Sequence, residues 1–336
     1  MPELRIDPLS GLRTIVAGER AGRPGGGFSA PPRPEIDPDT DPFLPGHEDR
    51  TPPELYALRP DGGAPDGPGW SVRVVPNLYP ALTVAAGGDG PPEDPLAAGR
   101  GDPTLFATGA ATGAHEVIVN APEPVSSLAA LAPNSVERAL AVWRERMRAH
   151  AGASYVHVSV NEGRDAGASL PHTHAQLYAL PSVPAALARE RERFSAHAER
   201  TQGRNLLEDV LQEEVRLRER VVAIDSEGVA ICPWASRLPY QVMIVPRRPR
   251  ARFEDEGPLA GRLLHDVLAR LARALGAVPP LNLWVRTAPR GAEHFCWRID
   301  VTPRLTHLAG LEMGVGIFLN TLPPERAAEL LRQASA

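Results

Sequence analysis

The 336-residue chain contains no lysine; all 36 of its basic residues other than histidine are arginine. This excludes Schiff-base chemistry through a lysine amine and the lysine-dependent phosphate loop. Any phosphate held here must be held by arginine, histidine, side-chain amides or backbone N–H groups. Cysteine is nearly missing as well. Only Cys232 and Cys296 occur, too few for a disulfide framework and in keeping with a reducing cytoplasm. No run approaches the ~20 consecutive apolar residues of a spanning helix, and Met1-Pro2-Glu3 opens without a basic or apolar leader. A cytoplasmic location and no membrane partner are therefore expected. A net charge of −5 gives no electrostatic ground for a nucleic-acid partner.

The length suffices for two domains or one duplicated core. Proline, glycine and aspartate crowd the stretches from about residue 23 to 69 and 85 to 113, which read as long surface connections. Between and after them lie strand-like runs, Trp70–Val75, His115–Val119 and Tyr155–Val160. A helix is expected in front of Tyr155, capped by Asn134 and Glu137, with Val136, Leu140, Trp143 and Met147 on one face. Two charged helices follow, joined near Gln202-Gly203. The pattern then returns: β-rich runs at Val221–Trp234 and Tyr240–Pro246, and a helix from about Pro258 to Leu275 stopped by Gly276. Strands at Leu281–Val285 and Phe295–Val301 come next, and a last helix opens at Pro323-Pro324. The expected class is α+β: a duplicated unit with mostly antiparallel sheet and helices on one side, divided into residues 1–183 and 184–336.

The most informative segment is His172-Thr173-His174-Ala175-Gln176, preceded by Asn161-Glu162-Gly163 and Gly167-Ala168-Ser169. Histidines at i and i+2 present both imidazoles on one face of an extended segment, and the glutamine adds a neutral donor there. A loop bearing glycine and asparagine can turn tightly and aim N–H groups at an anion. A bare H-x-H is more often a half-exposed strand face or a pair of metal ligands. The flanking Asn161, Gly163, Ser169 and Gln176 shift the reading to nucleotidyl or phosphoryl transfer through histidine.

These residues resemble the galactose-1-phosphate uridylyltransferase family of the histidine-triad superfamily, built from two fused triad-like halves. The likeness extends through Arg5–Gly11, Glu19–Pro24, Asp41–Gly46, Val75–Pro80, Asn161–Gln176, Pro239–Pro246 and Leu308–Met313. It implies that His174 is the nucleophile, that Gln176 bridges phosphoryl oxygens and that His172 supports the loop. It implies phosphate contacts from Asn161, Ser169, Arg20 and Arg23, close backbone approach at Gly163 and Gly167, a nucleoside contact from Asn77 and a sugar contact from Glu312. The other ring N–H of His174 would be held by a backbone carbonyl of the same loop. A homodimer with shared active sites is implied too.

Departures from the family pattern matter as much. Where the family's zinc knuckle has cysteines, this chain has Asp41-Pro42-Phe43-Leu44, and the later ligand segment reads Pro122-Glu123-Pro124. No zinc is expected, a site rebuilt from Asp41, His47 and His172 being the lesser alternative. At the iron site of some relatives Glu190 remains, but Arg286, Arg298 and Asp300 replace the histidines, so an arginine–aspartate ion pair is expected and no cofactor. The second half would be catalytically silent, with His294 structural. Leu78 replaces an aspartate near the ribose, leaving the nucleobase open. His115 reads as a satisfied strand histidine rather than a phosphate contact.

The first expectation is a UDP-glucose–hexose-1-phosphate uridylyltransferase acting on a nucleotide sugar and a hexose 1-phosphate through a nucleotidyl-histidine. The alternatives are a nucleoside-diphosphate-sugar or dinucleoside-tetraphosphate phosphorylase using the same histidine, and a non-catalytic nucleotide-binding paralogue.

Overall fold

The structure, a computed structural model, describes residues 1–22, 28–33, 35–84 and 105–335. Strands β1 (Glu3–Ile6) and β2 (Arg13–Val16) open the chain and pair antiparallel. The first half then supplies β3 (Tyr56–Leu58), β4 (Val72–Pro76), β5 (Ala114–Val119), α1 (Pro133–Ala149), β6 (Tyr155–Glu162) and β7 (His174–Leu180). Helices α2 (Ala185–Thr201) and α3 (Leu206–Leu217) lead to the second half. There β8 (Val221–Ile224), β9 (Gly228–Ile231), β10 (Val242–Pro246), α4 (Gly261–Leu275), β11 (Leu281–Arg286) and β12 (Arg298–Pro303) repeat the order of the first. A short α5 (Gly310–Val315), β13 (Ile317–Asn320) and α6 (Pro324–Gln333) close the chain, β13 running parallel to β2.

Ten strands form one sheet in the order β3-β4-β5-β7-β6-β11-β12-β10-β9-β8. Outward from its centre the two halves have the same strand order, so the expected α+β unit does occur twice. The halves meet where β6 pairs antiparallel with β11, Asn161 facing Asn282 and Ser159 facing Trp284. The sheet therefore runs unbroken across residue 183.

Side-chain alternation gives the sheet two unlike faces. Val156, Val158 and Val160 enter the main core with α1 and α4, whereas Tyr155, His157, Ser159 and Asn161 face the other way. As expected, Val136, Leu140, Trp143 and Met147 of α1 and Leu264, Val267, Leu271 and Leu275 of α4 are buried. Each such side chain stabilises the fold by about 1.5–3 kcal/mol. The helices on this face match the expected arrangement; α2 and α3 add to it by covering the opposite face of the second half. There Leu187, Phe194 and Leu207 pack on Val229, Ile231 and Met243. The same face of the first half is covered by the segment around Phe43 and Trp70, packed on Val75, Val117 and Val119. The site opens beside this cover.

Three local expectations need correction. The N-cap of α1 is Ala132 without a side-chain bond, because Pro133 starts the helix one residue before Asn134. Strand β12 begins at Arg298 rather than Phe295, and α4 begins at Gly261 rather than near Pro258. Among the described residues no helix is long and apolar enough to cross a membrane.

Candidate active site

His174 is the first residue of β7, only 6% exposed. Its Nδ1 lies 2.7 Å from the His172 carbonyl. A carbonyl only accepts, so Nδ1 carries the proton and the lone pair sits on Nε2. Burial pushes the ring below the ordinary histidine value and the nearby His172 pushes the same way, while the His172 carbonyl and Asp41 oppose. The neutral, nucleophilic form is therefore favoured near neutrality.

His172 is fully enclosed. It donates from both ring nitrogens, Nδ1 to Asp41 Oδ2 at 2.7 Å and Nε2 to the Ala121 carbonyl at 2.9 Å. Burial raises the Asp41 carboxyl, but bonds from His172 and the Phe43 N–H outweigh it and leave the group below its ordinary value. The metal expectation can be tested on this donor set. Asp41 Oδ2 is bonded to His172, and His47 turns its Nδ1 to the Asp41 carbonyl, 2.7 Å away. Leu44 offers no ligand, and no group of three or more His, Cys, Asp or Glu side chains suited to a metal occurs among the described residues. The side chains present do not fit zinc; the Asp41–His172 bond joins the segments that a metal would have joined.

Thr173, between the histidines, is tied from two sides. Its hydroxyl donates to Glu162 Oε1 at 3.2 Å and accepts from Asn120 Nδ2 at 3.2 Å. Asn120 in turn accepts from the Trp143 indole of α1 at 2.9 Å. Glu162, buried at the end of β6, also takes the Ser127 hydroxyl at 2.6 Å and the Leu128 N–H at 2.7 Å. The histidine loop is thus bolted to the core by Asn120 and Glu162, neither of which the sequence reading singled out.

Gln176 is half-buried one strand step further. Ala81 N–H donates to His115 Nδ1 at 3.1 Å, so the His115 proton is at Nε2, 3.1 Å from Gln176 Oε1. Tyr178 O–H donates to the same oxygen. With Oε1 occupied twice, the Gln176 amino group is left to donate. Asn77 accepts the Tyr79 N–H at 2.8 Å, and its Nδ2 lies 3.1 Å from His115 Nε2, a contact between two donors that borders this network. His115 is a satisfied histidine as expected, and its partner is Gln176 of the candidate site.

The loop after β6 takes the conformation its glycines suggest. Gly163 has φ +85°, and an added Cβ would sit 3.1–3.2 Å from Pro280 atoms; Gly167 has φ +87°. Asn161 Oδ1 accepts from Asn282 Nδ2 at 2.8 Å. Gly163 and the exposed Ser169 line an open cleft of about 500 Å³ together with Arg33, Ser126 and Arg164. The larger cleft, about 700 Å³ between Arg148 and Arg290, lies away from these groups.

Among the described residues, the other candidates have no bond to the loop. Arg20 is exposed in a single turn at Gly18–Gly22, and Arg23 lies outside the described residues. Glu312 spends its carboxylate on its own surroundings, taking the Ala309 N–H at 2.9 Å and the Leu319 N–H at 3.2 Å. Leu78 is 61% exposed. At the second-half position Arg298 pairs with Asp300 at 3.1 Å and with Glu190 at 3.0 Å. Arg286 approaches Glu190 at 3.7 Å. Guanidinium groups do not ligate iron, so this set does not fit that metal either. His294 is exposed, and its carbonyl accepts from Asn205 at 2.7 Å.

The chain is similar to known proteins over nearly its whole length. Residues 70–184 match the galactose-1-phosphate uridyl transferase N-terminal domain, and residues 136–334 match a domain of unknown function, DUF4921. The ADP-glucose phosphorylase of Arabidopsis thaliana is 28% identical, covering 99% of this chain and 93% of its own. The galactose-1-phosphate uridylyltransferase of Haemophilus influenzae is 27% identical over 99% and 95%. A crystal structure of an Arabidopsis thaliana ADP-glucose phosphorylase with bound ADP-glucose superposes with a TM-score of 0.80 and 27% identity, covering 100% of both chains.

Proposed function

Because the chain belongs to the galactose-1-phosphate uridylyltransferase family and is an enzyme of nucleotidyltransferase type, we propose that it passes a nucleoside monophosphate through His174. The donor is a nucleoside-diphosphate hexose and the acceptor inorganic phosphate. The observation that carries this reading is the 2.7 Å bond from His174 Nδ1 to the His172 carbonyl, which leaves Nε2 free to attack. The Nε2 lone pair forms a bond to the α-phosphorus while the bond to the bridging oxygen breaks, and hexose 1-phosphate leaves with that electron pair. A phosphate oxygen then attacks the same phosphorus, the N–P bond breaks, and a nucleoside diphosphate departs.

Gln176 donates its amino group to the equatorial oxygens, a neutral donor where charge spreads in the transition state. Asn161, Ser169 and the Gly163 and Gly167 backbone hold the phosphates, and Asn77 borders the nucleoside. His172 and Asp41 position the loop without a metal. The first half carries the chemistry and the second supports it. Glu312 has no bond to the His174 loop among the described residues, and Leu311, Met313 and Val315 beside it are exposed. This supports a homodimer in which Glu312 contacts sugar in the partner's site.

The likeness to ADP-glucose phosphorylase supports phosphate as acceptor. The second reading has a hexose 1-phosphate as acceptor and uridylyl as cargo, and it rests on the match of residues 70–184 to the uridyl transferase domain. Labelled ADP-glucose and UDP-glucose, each given phosphate or galactose 1-phosphate, separate the two. Nucleoside diphosphate formed only with phosphate supports the first, and UDP-galactose the second. A folded, nucleotide-binding protein that forms no covalent adduct with either donor would defeat both.

A further inference from the structure

The second half holds a small chamber of about 150 Å³ between β11, β12, α2 and the Asp7–Leu12 turn. It occupies the position where the family resemblance places iron, and its arginines reject that metal. Six buried side-chain N or O atoms lack a hydrogen-bond partner among the described residues: Tyr155 Oη, Trp284 Nε1, Arg286 Nε, Arg298 Nη1, Thr302 Oγ1 and Trp297 Nε1. Two of them, Arg286 Nε and Arg298 Nη1, belong to residues that line the chamber. An unpaired buried donor is costly, and more so when charged. Two such guanidinium groups at one chamber call for a partner.

The charges indicate its sign. Arg298 is 4% exposed; it spends Nη2 on Glu190 and Nε on Asp300, leaving Nη1 without an acceptor. Arg286 Nε lies beyond hydrogen-bond reach of Glu190 at 3.7 Å. Arg237 also lines the chamber; burial pushes its guanidinium below the ordinary value, and the nearby Asp300 and Asp7 do not restore it. Asp7 is spent on the Ser10 side chain and the Leu9 N–H. Exposed Arg189 stands at the mouth. The chamber groups still needing a partner are therefore guanidinium N–H donors, and they are cationic.

We propose that this chamber binds a small tetrahedral oxyanion of the phosphate class, held by Arg298 Nη1, Arg286 and Arg237. Its volume is below the ~300–1,000 Å³ of sites for larger organic ligands, so a nucleotide sugar is excluded. Guanidinium forks suit a tetrahedral oxyanion. The ion would tie β11 and β12 to the N-terminal turn, and β11 also carries Asn282.

Arg298→Met would strand Glu190 and Asp300, so Arg286→Gln and Arg237→Gln carry the test. Crystals of the full chain soaked in selenate should show an anomalous peak within hydrogen-bond reach of Arg298 Nη1 and Arg286. In calorimetric titration with inorganic phosphate, each glutamine variant should lose at least tenfold in affinity for one binding step, and Asn161→Ala in the His174 loop should leave that step unchanged. A chamber filled by water alone under selenate, or glutamine variants that bind phosphate as the parent does, would overturn the proposal. Neither result depends on adduct formation at His174.

Discussion

Asn282 of β11 donates its side-chain amide to Asn161 Oδ1 at 2.8 Å and to the Ala166 carbonyl at 2.8 Å. The Ala166 carbonyl can only accept, so the Asn282 amide has one orientation, and Asn161 must present its oxygen to it. The Asn161 amino group is thereby left to donate, in the proposed function to phosphate. A residue of the second half orients Asn161 of the first. Asn282→Ala should lower the rate of adduct formation by about 10–100-fold while His174 still accepts the nucleotide. Rapid-quench single-turnover measurement checks this, and a parental rate in the variant would contradict it.

Gln176 is oriented by two donors on one oxygen, His115 Nε2 and Tyr178 O–H. Tyr178→Phe removes one and should reduce kcat about tenfold with KM little changed, since the amide loses orientation rather than its donors. His115→Phe should act in the same direction. A rise in KM alone would mean that Gln176 contributes only to binding.

His174→Gly should abolish adduct formation and leave nucleotide binding measurable by calorimetry. The pH dependence has a definite sign. The attacking ring must be neutral, and burial moves its pKa below the ordinary 6.5. The acid limb of the single-turnover rate should accordingly have its midpoint below pH 6.5. A midpoint above it would show the ring to be stabilised as a cation.

The Asp41–His172 bond is fully buried. Asp41→Ala should destabilise the protein by about 3–5 kcal/mol, as for breaking a buried ion pair, and Asp41→Asn by less because an acceptor remains. Urea unfolding followed by tryptophan fluorescence gives both values. Purified protein should contain well below one zinc per chain, and EDTA should alter neither stability nor turnover. Stoichiometric zinc would refute the reading of this position.

His157 is largely buried on β6, and desolvation together with the Arg286 charge lowers its pKa to about 4. Between pH 6.5 and 4 the unfolded chain binds a proton there that the folded chain refuses. Stability should therefore fall by about 3 kcal/mol as pH drops through that window, then level off with respect to this group. His157→Phe should remove this part of the acid dependence in denaturant titrations run at successive pH values. An unchanged pH profile in that variant would show that His157 titrates normally.

Much of the molecule was legible along the chain. The apolar periods of α1 and α4, the alternation of β6 and the recurrence of the strand–helix pattern depend on neighbours in sequence, and local spacing reveals them. The same holds for His172, His174 and Gln176, which lie within five residues of one another, and for Gly163 and Gly167, whose positive φ is a backbone property. What emerged only in three dimensions depends on partners far apart in sequence: Asp41 on His172, Asn282 on Asn161, Trp143 through Asn120 on Thr173, and Arg298 between Glu190 and Asp300. Hydrogen bonds and burial are set where strands and loops meet, and no residue carries its distant neighbour in its own type. The histidine segment and the carbonyl that holds the His174 ring could be anticipated from residue order; the distant supports of that segment and the arginine-lined chamber could not.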